Sequence, residues 1–197
     1  MVNKYKIVGV SCVTGNHRQL APLSESYHDM TGTGKRDMMQ GQLGADLMNG
    51  LGNSDVMYGN QPDGFHSSID FSDDEMHGGG RNDEVNGNVG GDMVNGGSGN
   101  DMVNGEEFGL DLICDPFCND DIDGGSGNDL LEGNGGSDVI SGGSGNDQIY
   151  HWTETTGTSP DTNKDTITCG SGRDEVYINT SVDGDTAAPD CEIVHEE

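Results

Sequence analysis

Aspartate returns every nine residues through most of this chain, with glycines ahead of it and an apolar residue two places behind it. The unit is plainest in Gly96-Gly97-Ser98-Gly99-Asn100-Asp101-Met102-Val103-Asn104. A repeat this short cannot bury an apolar face alone, so successive copies must stack into a solenoid in which each copy is half a coil. With Asp as the sixth position, the register runs from Gly32 to Tyr177 through Asp37, Asp46, Asp55, Asp74, Asp83, Asp92, Asp101, Asp111, Asp120, Asp129, Asp138, Asp147, Asp165 and Asp174. The eighth position tests that register independently. It reads Met39, Met48, Met57, Met76, Val85, Val94, Val103, Ile113, Ile122, Leu131, Ile140, Ile149, Ile167 and Val176, apolar each time in a chain only 30% hydrophobic. A disordered acidic tail needs no such column. Copies fail near residues 59–68 and 151–159, and single extra residues sit near Ser68 and Gly105.

Thirty-six acidic against eight basic residues leave a formal charge of -28, and 34 glycines with few aromatics leave little apolar area for an ordinary core. Self-repulsion opposes compaction, and glycine loses the most backbone entropy on ordering. Something cationic must make up the deficit. Nucleic acid is excluded as a partner, because so acidic a surface repels phosphate, and no stretch approaches the length of a membrane span.

The last three residues of each copy alternate in and out, the period of a short strand, and the first six form a turn. Glycines at the first, second and fourth positions let the turn adopt positive φ and aim its carbonyl oxygens at one point. Asp adds a carboxylate there. Carbonyl and carboxylate oxygens without Cys or His nearby form a hard-oxygen site, suited to Ca²⁺ and too pliable for the strict octahedron of Mg²⁺. Zinc is disfavoured, because the cysteines lack paired spacing and the six histidines are scattered from His17 to His195.

The copies Gly96 to Asn104, Gly124 to Glu132 and Gly142 to Tyr150, with Cys169 to Tyr177 departing at its first residue, resemble the Gly-Gly-x-Gly-x-Asp-x-apolar-x repeat of the RTX (repeats-in-toxin) family. The resemblance covers roughly three quarters of the chain. It implies an all-β parallel β-roll with two nonapeptides per coil, several Ca²⁺ ions between turns stacked on the same side, and folding that depends on calcium outside the cell. Residues 32–177 would form the roll, with the degenerate copies noted above, between an amino-terminal strand or cap (1–31) and a carboxy-terminal cap (178–197).

Two copies per coil stack copy n on copy n+2, which ranks the sites. The two perfect loops ending at Asp129 and Asp147 share a side, and the resemblance places the best ion between them, with carbonyls of Gly125, Gly127, Gly142 and Ser144 completing the shell and Gly145 beside them. Counting copies places the pair Asp83 and Asp101, with Gly97 and Gly99, on the opposite side and second in rank, because Arg81 replaces a glycine. That side also carries the failed copies and the Pro116 and Cys118 defect before Asp120, so it should hold fewer ions. Asp46, Asp55, Asp92, Asp111, Asp120, Asp138 and Asp174 complete the metal row. In the weaker copies, those ending at Asp37, Asp74, Asp111 and Asp165, the carboxylate either meets metal or bonds turn amides. The inward methionines are core residues.

The segment Lys4 to Val13 is strand-like and reads as a cap, since a solenoid end exposes a sheet edge; its apolar stretch is short and interrupted for a secretion signal. The ladder is expected to stop after Tyr177, because Asp185 falls on an inward position. The closing stretch more loosely resembles that of bacterial RTX-like proteins, which implies a Cys169 to Cys191 disulfide. Cys114 and Cys118 stand close enough to bridge, and Cys12 remains over, either a buried hydrophobe or a link between subunits. Disulfides agree with an oxidising, extracellular or cell-surface location. No His-Glu-x-x-His, Gly-x-Ser-x-Gly or phosphate-loop motif is present, so no catalysis is expected. The reading is a calcium-folded structural or interaction module that self-associates end to end; the alternatives are an ice-binding face, for which Asn100, Asn128 and Asn146 align but threonines do not, and a non-catalytic module of a secreted enzyme.

Overall fold

The computed structural model describes the backbone of residues 5–8 and 17–20 and the whole of residues 27–60, 72–105, 118–151, 163–180 and 184–196. The chain winds so that consecutive strands alternate between two sheets, each of nine parallel strands, and no helix occurs among the described residues. One sheet takes β1 (Tyr5–Val8), β3 (His28–Thr31), β5 (Leu47–Asn49), β7 (Glu75–Gly80), β9 (Met93–Ser98), β11 (Asp121–Ser126), β13 (Val139–Gly145), β15 (Thr166–Gly172) and β17 (Thr186–Ala187). The other takes β2 (His17–Leu20), β4 (Asp37–Gln42), β6 (Val56–Asn60), β8 (Glu84–Asn86), β10 (Met102–Asn104), β12 (Leu130–Glu132), β14 (Gln148–Tyr150), β16 (Glu175–Ile178) and β18 (Ile193–Glu196). This is the parallel β-roll that the nine-residue period implied.

The inward position of each strand lies over that of the next. Met30, Met48, Met76, Val94, Ile122, Ile140, Ile167 and Ala187 form one column. Met39, Met57, Val85, Val103, Leu131, Ile149, Val176 and Val194 form the other. All are buried except Ala187, which is partly buried, and Val194 in the last coil, which is exposed. Each large side chain contributes about 1.5–3 kcal/mol. One per nine residues is too few to offset about 1–2 kcal/mol of backbone entropy per residue, so the turns must supply the rest.

The two edges of the roll differ. From β3 onward the turns running from the β3 sheet to the β4 sheet follow one another without interruption, and we call this the continuous edge. On the opposite, interrupted edge, the segments 61–71, 106–117 and 152–162, all outside the described residues, stand in the chain between β6 and β7, β10 and β11, and β14 and β15. Turns with and without such a segment alternate there. The pairing of β6 with β8, β10 with β12 and β14 with β16 shows that none of the three segments counts as half a coil.

Two expectations are corrected by this winding. Counting the copy at Asp111 as a half-coil placed Asp83 and Asp101 opposite Asp129 and Asp147; the structure places all four on the continuous edge. The ladder also runs past Tyr177, because β17 and β18 add another coil. Asp185 was misread as inward because the spacing to it from Asp165 is 20 residues, two more than a regular coil. Cys169 and Cys191 are bridged, which ties this coil to β15. Cys118 is disulfide-bonded as well, while Cys12, Cys114 and Asp111 lie outside the described residues.

Candidate metal centre

The turn aspartates form two rows, one on each edge. Along the continuous edge the backbone N–H of each donates to Oδ1 of the aspartate one coil later: Asp37 to Asp55, Asp55 to Asp83, Asp83 to Asp101, Asp101 to Asp129, Asp129 to Asp147 and Asp147 to Asp174, at 2.6–2.9 Å. The row ends with Asp174 donating to Glu192 Oε2 at 2.9 Å. The interrupted edge repeats the scheme from His28 through Asp46, Asp74, Asp92, Asp120, Asp138 and Asp165 to Asp185. Since Asp92 bonds directly to Asp120 and Asp101 to Asp129, both rows close without Asp111.

Turn conformation explains the glycines, with a division of labour that the sequence reading merged. The second and fourth positions have positive φ in turn after turn: Gly97 (103°) and Gly99 (148°), Gly125 (95°) and Gly127 (141°), Gly143 (96°) and Gly145 (144°). Where glycine is missing the angle persists, as at Leu51 (75°), Asn53 (81°) and Arg81 (78°). The first position does not take positive φ; it needs glycine for room. A Cβ on Gly96 would lie 2.8 Å from Asp101 Oδ2 and 2.8 Å from the Gly124 carbonyl oxygen. On Gly124 it would lie 2.8 Å from Asp129 Oδ2 and 2.7 Å from Gly142 O, and on Gly142 2.8 Å from Asp147 Oδ2 and 2.6 Å from Cys169 O.

A carboxylate oxygen of one coil and a carbonyl oxygen of the next therefore share each hollow. With Oδ1 held by a backbone N–H, Oδ2 of Asp55, Asp83, Asp101, Asp129, Asp147 and Asp174 is buried with no hydrogen-bond partner, and Asp92 on the other edge is alike. A buried carboxylate oxygen without a donor is costly. The donor set is all oxygen, which fits a hard divalent cation such as Ca²⁺. Of the carbonyls expected around Asp129 and Asp147, that of Gly142 faces the Asp129 hollow, while that of Ser144 accepts the N–H of Gly127 at 2.8 Å. The carbonyls of Gly97, Gly99, Gly125 and Gly127 instead face glycines one coil on, at Gly125, Gly127, Gly143 and Gly145, where a Cβ would collide with them.

Electrostatics point the same way. Coils stack at about 4.8 Å, where two like charges repel by about 3 kcal/mol at an effective dielectric near 20. Burial, then neighbouring aspartates, pushes Asp83 and Asp129 up to about 7. Burial likewise raises Asp55 and Asp92 to about 7 and Asp147 to about 6, and raises Asp101 and Asp174. The fold thus disfavours ionised rows unless a cation joins them. Sequence reasoning missed three members of the rows. His28 stands in an Asp place, with Nδ1 2.7 Å from Asp46 Oδ1 and burial lowering its pKa; Asp185 and Glu192 lie outside the nine-residue phase.

Fold and hollows together define a calcium-binding repeat module. The RTX calcium-binding nonapeptide repeat model, four copies long, matches residues 31–61, 70–106 and 119–149, and the chain belongs to that family. No curated protein and no solved structure matches the chain. The gaps between matched segments fall on two of the three extra segments.

Proposed function

We propose that this chain is a non-catalytic structural or interaction module, extracellular or at a cell surface, that Ca²⁺ folds and that joins other copies end to end. The observation carrying the proposal is the row of buried, partnerless Oδ2 atoms along the continuous edge. Calcium enters the hollows flanked by Asp83, Asp101, Asp129, Asp147 and Asp174, with Asp55 at the earlier end and the Gly124 and Gly142 carbonyls beside them. On this edge complete turns stack directly. On the interrupted edge the complete turns ending at Asp92 and Asp138 each lie between two turns carrying an extra segment, so Asp92, Asp120 and Asp138 hold calcium less well. Binding to the folded state alone pulls folding over as calcium rises.

End-to-end joining follows from the parallel sheets. β1 and β2 border one end and β17 and β18 the other, so the free strand edges face opposite ways and pair head to tail. No helix among the described residues is long and apolar enough to cross a membrane. The row of Asn82, Asn100, Asn128 and Asn146 spends each Oδ1 on a backbone N–H of the next coil, leaving less of it for an ice surface.

Far-ultraviolet circular dichroism during calcium titration, with magnesium as control, tests the folding claim. A strand signal appearing with calcium and not with magnesium is expected; a full strand signal in excess EDTA would refute it. Sedimentation of the calcium-loaded protein over a concentration series tests the joining, and a monomer at every concentration would sink it.

A further inference from the structure

On the interrupted edge the first position of successive turns is Gly41, Gly59, Gly87, Gly105 and Gly133, and a Cβ at each would collide with Oδ2 of its own turn aspartate. The next place in that series is held by His151. Its backbone keeps the ladder, accepting the N–H of Asn134 at 2.8 Å and donating to Tyr177 O at 3.1 Å. An imidazole therefore occupies the hollow that glycine leaves to cations elsewhere. Nδ1 lies 3.2 Å from Asp185 Oδ2 and 3.9 Å from Asp165 Oδ2, and both carboxylates are fully buried, with His151 nearly so. The three ligand atoms lie within 4.8 Å of one another. Oδ1 of Asp165 accepts the N–H of Asp138, and Oδ1 of Asp185 that of Asp165, so the Oδ2 atoms are the ones turned to His151. Asp185 Oδ2 also accepts the N–H of Asn179 at 3.1 Å.

We propose that His151, Asp165 and Asp185 bind one first-row transition ion, with Zn²⁺ the best fit. Imidazole nitrogen is a poor ligand for Ca²⁺, which takes oxygen, and a good one for Zn²⁺, whose sites accept His nitrogen with Asp oxygen and leave a fourth position for water. Among these three groups, an imidazolium balances only one of the two carboxylates, whereas a divalent ion with neutral imidazole balances both. The sequence disfavoured zinc because its histidines are scattered; winding alone brings His151 to two aspartates far along the chain.

The site joins two successive connections at the end of the roll: His151 opens and Asp165 closes the one from β14 to β15, and Asp185 closes the one from β16 to β17. On the continuous edge the equivalent first position is Cys169, bridged to Cys191. Each edge thus gives up its last glycine to a side chain that cross-links the closing coil, by disulfide on one edge and by metal on the other.

Cobalt absorption tests this on the full chain with saturating calcium and the disulfides intact, circular dichroism of the same sample confirming a folded roll. A single Co²⁺ should give a visible ligand-field band without a thiolate charge-transfer band, and Zn²⁺ should displace it. His151→Gly restores the residue found at Gly41, Gly59, Gly87, Gly105 and Gly133, so it should keep the strand signal and lose the band; Asp185→Asn should also lose it. His77→Gln and His195→Gln, on exposed side chains, should retain it. A folded wild-type roll that takes up no Co²⁺, or a band that survives His151→Gly, overturns the proposal, and neither result bears on whether calcium folds the chain.

Discussion

Asp129→Asn should change the sign of its effect with calcium. The asparagine keeps Oδ1 to accept the Asp101 N–H, a bond of 2.8 Å, so the register of the coil is retained. It replaces Oδ2, the buried atom without a partner, by a neutral N–H group beside the Gly142 carbonyl. Without calcium the wild-type fold must either hold a charge among like charges or take up a proton. Raising Asp129 from 3.8 to about 7 is worth about 4 kcal/mol in a sealed site, at about 1.4 kcal/mol per tenfold. A groove runs past Asp83, Asp101 and Asp129, and with solvent that close about half should survive screening. The variant is therefore expected to be more stable than wild type by about 2 kcal/mol in EDTA at neutral pH. In saturating calcium it lacks a charged ligand, and a tenfold to hundredfold weaker site costs about 1.4–2.8 kcal/mol. Urea unfolding measured in both conditions, with an excluded osmolyte added equally to bring the metal-free fold into range, reads both numbers. Destabilisation of similar size with and without calcium would show that Asp129 is a structural acceptor only, and would refute the reasoning.

In EDTA the strand signal should grow as pH falls from about 7 toward 4. The folded pKa values near 7 of Asp55, Asp83, Asp92 and Asp129 lie above the unfolded 3.8, so the folded state binds protons more tightly and its stability is lost as pH rises through that window. In calcium the trend should reverse, since protons compete for the same oxygens; a pH series of circular dichroism in both buffers checks it. Arg81→Gly should stabilise the calcium-loaded roll by about 1 kcal/mol, the typical cost of a left-handed residue with a Cβ, because φ at Arg81 is 78°; an unchanged urea midpoint would contradict this. Asp92→Asn should leave the number of bound calcium ions unchanged in equilibrium dialysis, whereas Asp129→Asn should lower it, because the turn of Asp92 lies between two interrupted turns.

The inward column and the rows of Asp were legible because each is a single chemical requirement repeated at one period. Met39 to Val176 need only be apolar, and Asp101 or Asp129 need only supply two oxygens. What misled was a coincidence of length. The segment 106–117 is about one copy long and carries Asp111 and Ile113 in phase, so nothing in the local pattern separates it from a half-coil. Pairing partners do, and those are set by contacts across the roll. First-position glycines were recognisable as glycines, yet their reason, an oxygen from the next coil facing the Cα, depends on stacking. Asp185 and Glu192 were hidden by shifts in spacing near the end, and His151 by standing where the motif expects glycine.

The two oxygens of each turn carboxylate carry different parts of the fold. Oδ1 accepts an N–H from the preceding coil, so it fixes which turn lies over which. From Asp55 to Asp174 on the continuous edge Oδ2 has no protein donor in its hollow and sets whether that stacking is stable, whereas Asp37 Oδ2 accepts from Thr33. Asparagine would serve the first task, and its neutral N–H would even suit the hollow, but it would give a roll indifferent to calcium. A glutamate would hold its oxygens one methylene further out, beyond the hollow that first-position glycine opens; Glu192 stands at the end of its row, where no later turn has to stack on it. Repeated use of aspartate therefore makes the register intrinsic to the sequence and, on the proposed function, leaves its stability to an ion, which would let a chain of charge -28 remain unwound in one medium and wind in another.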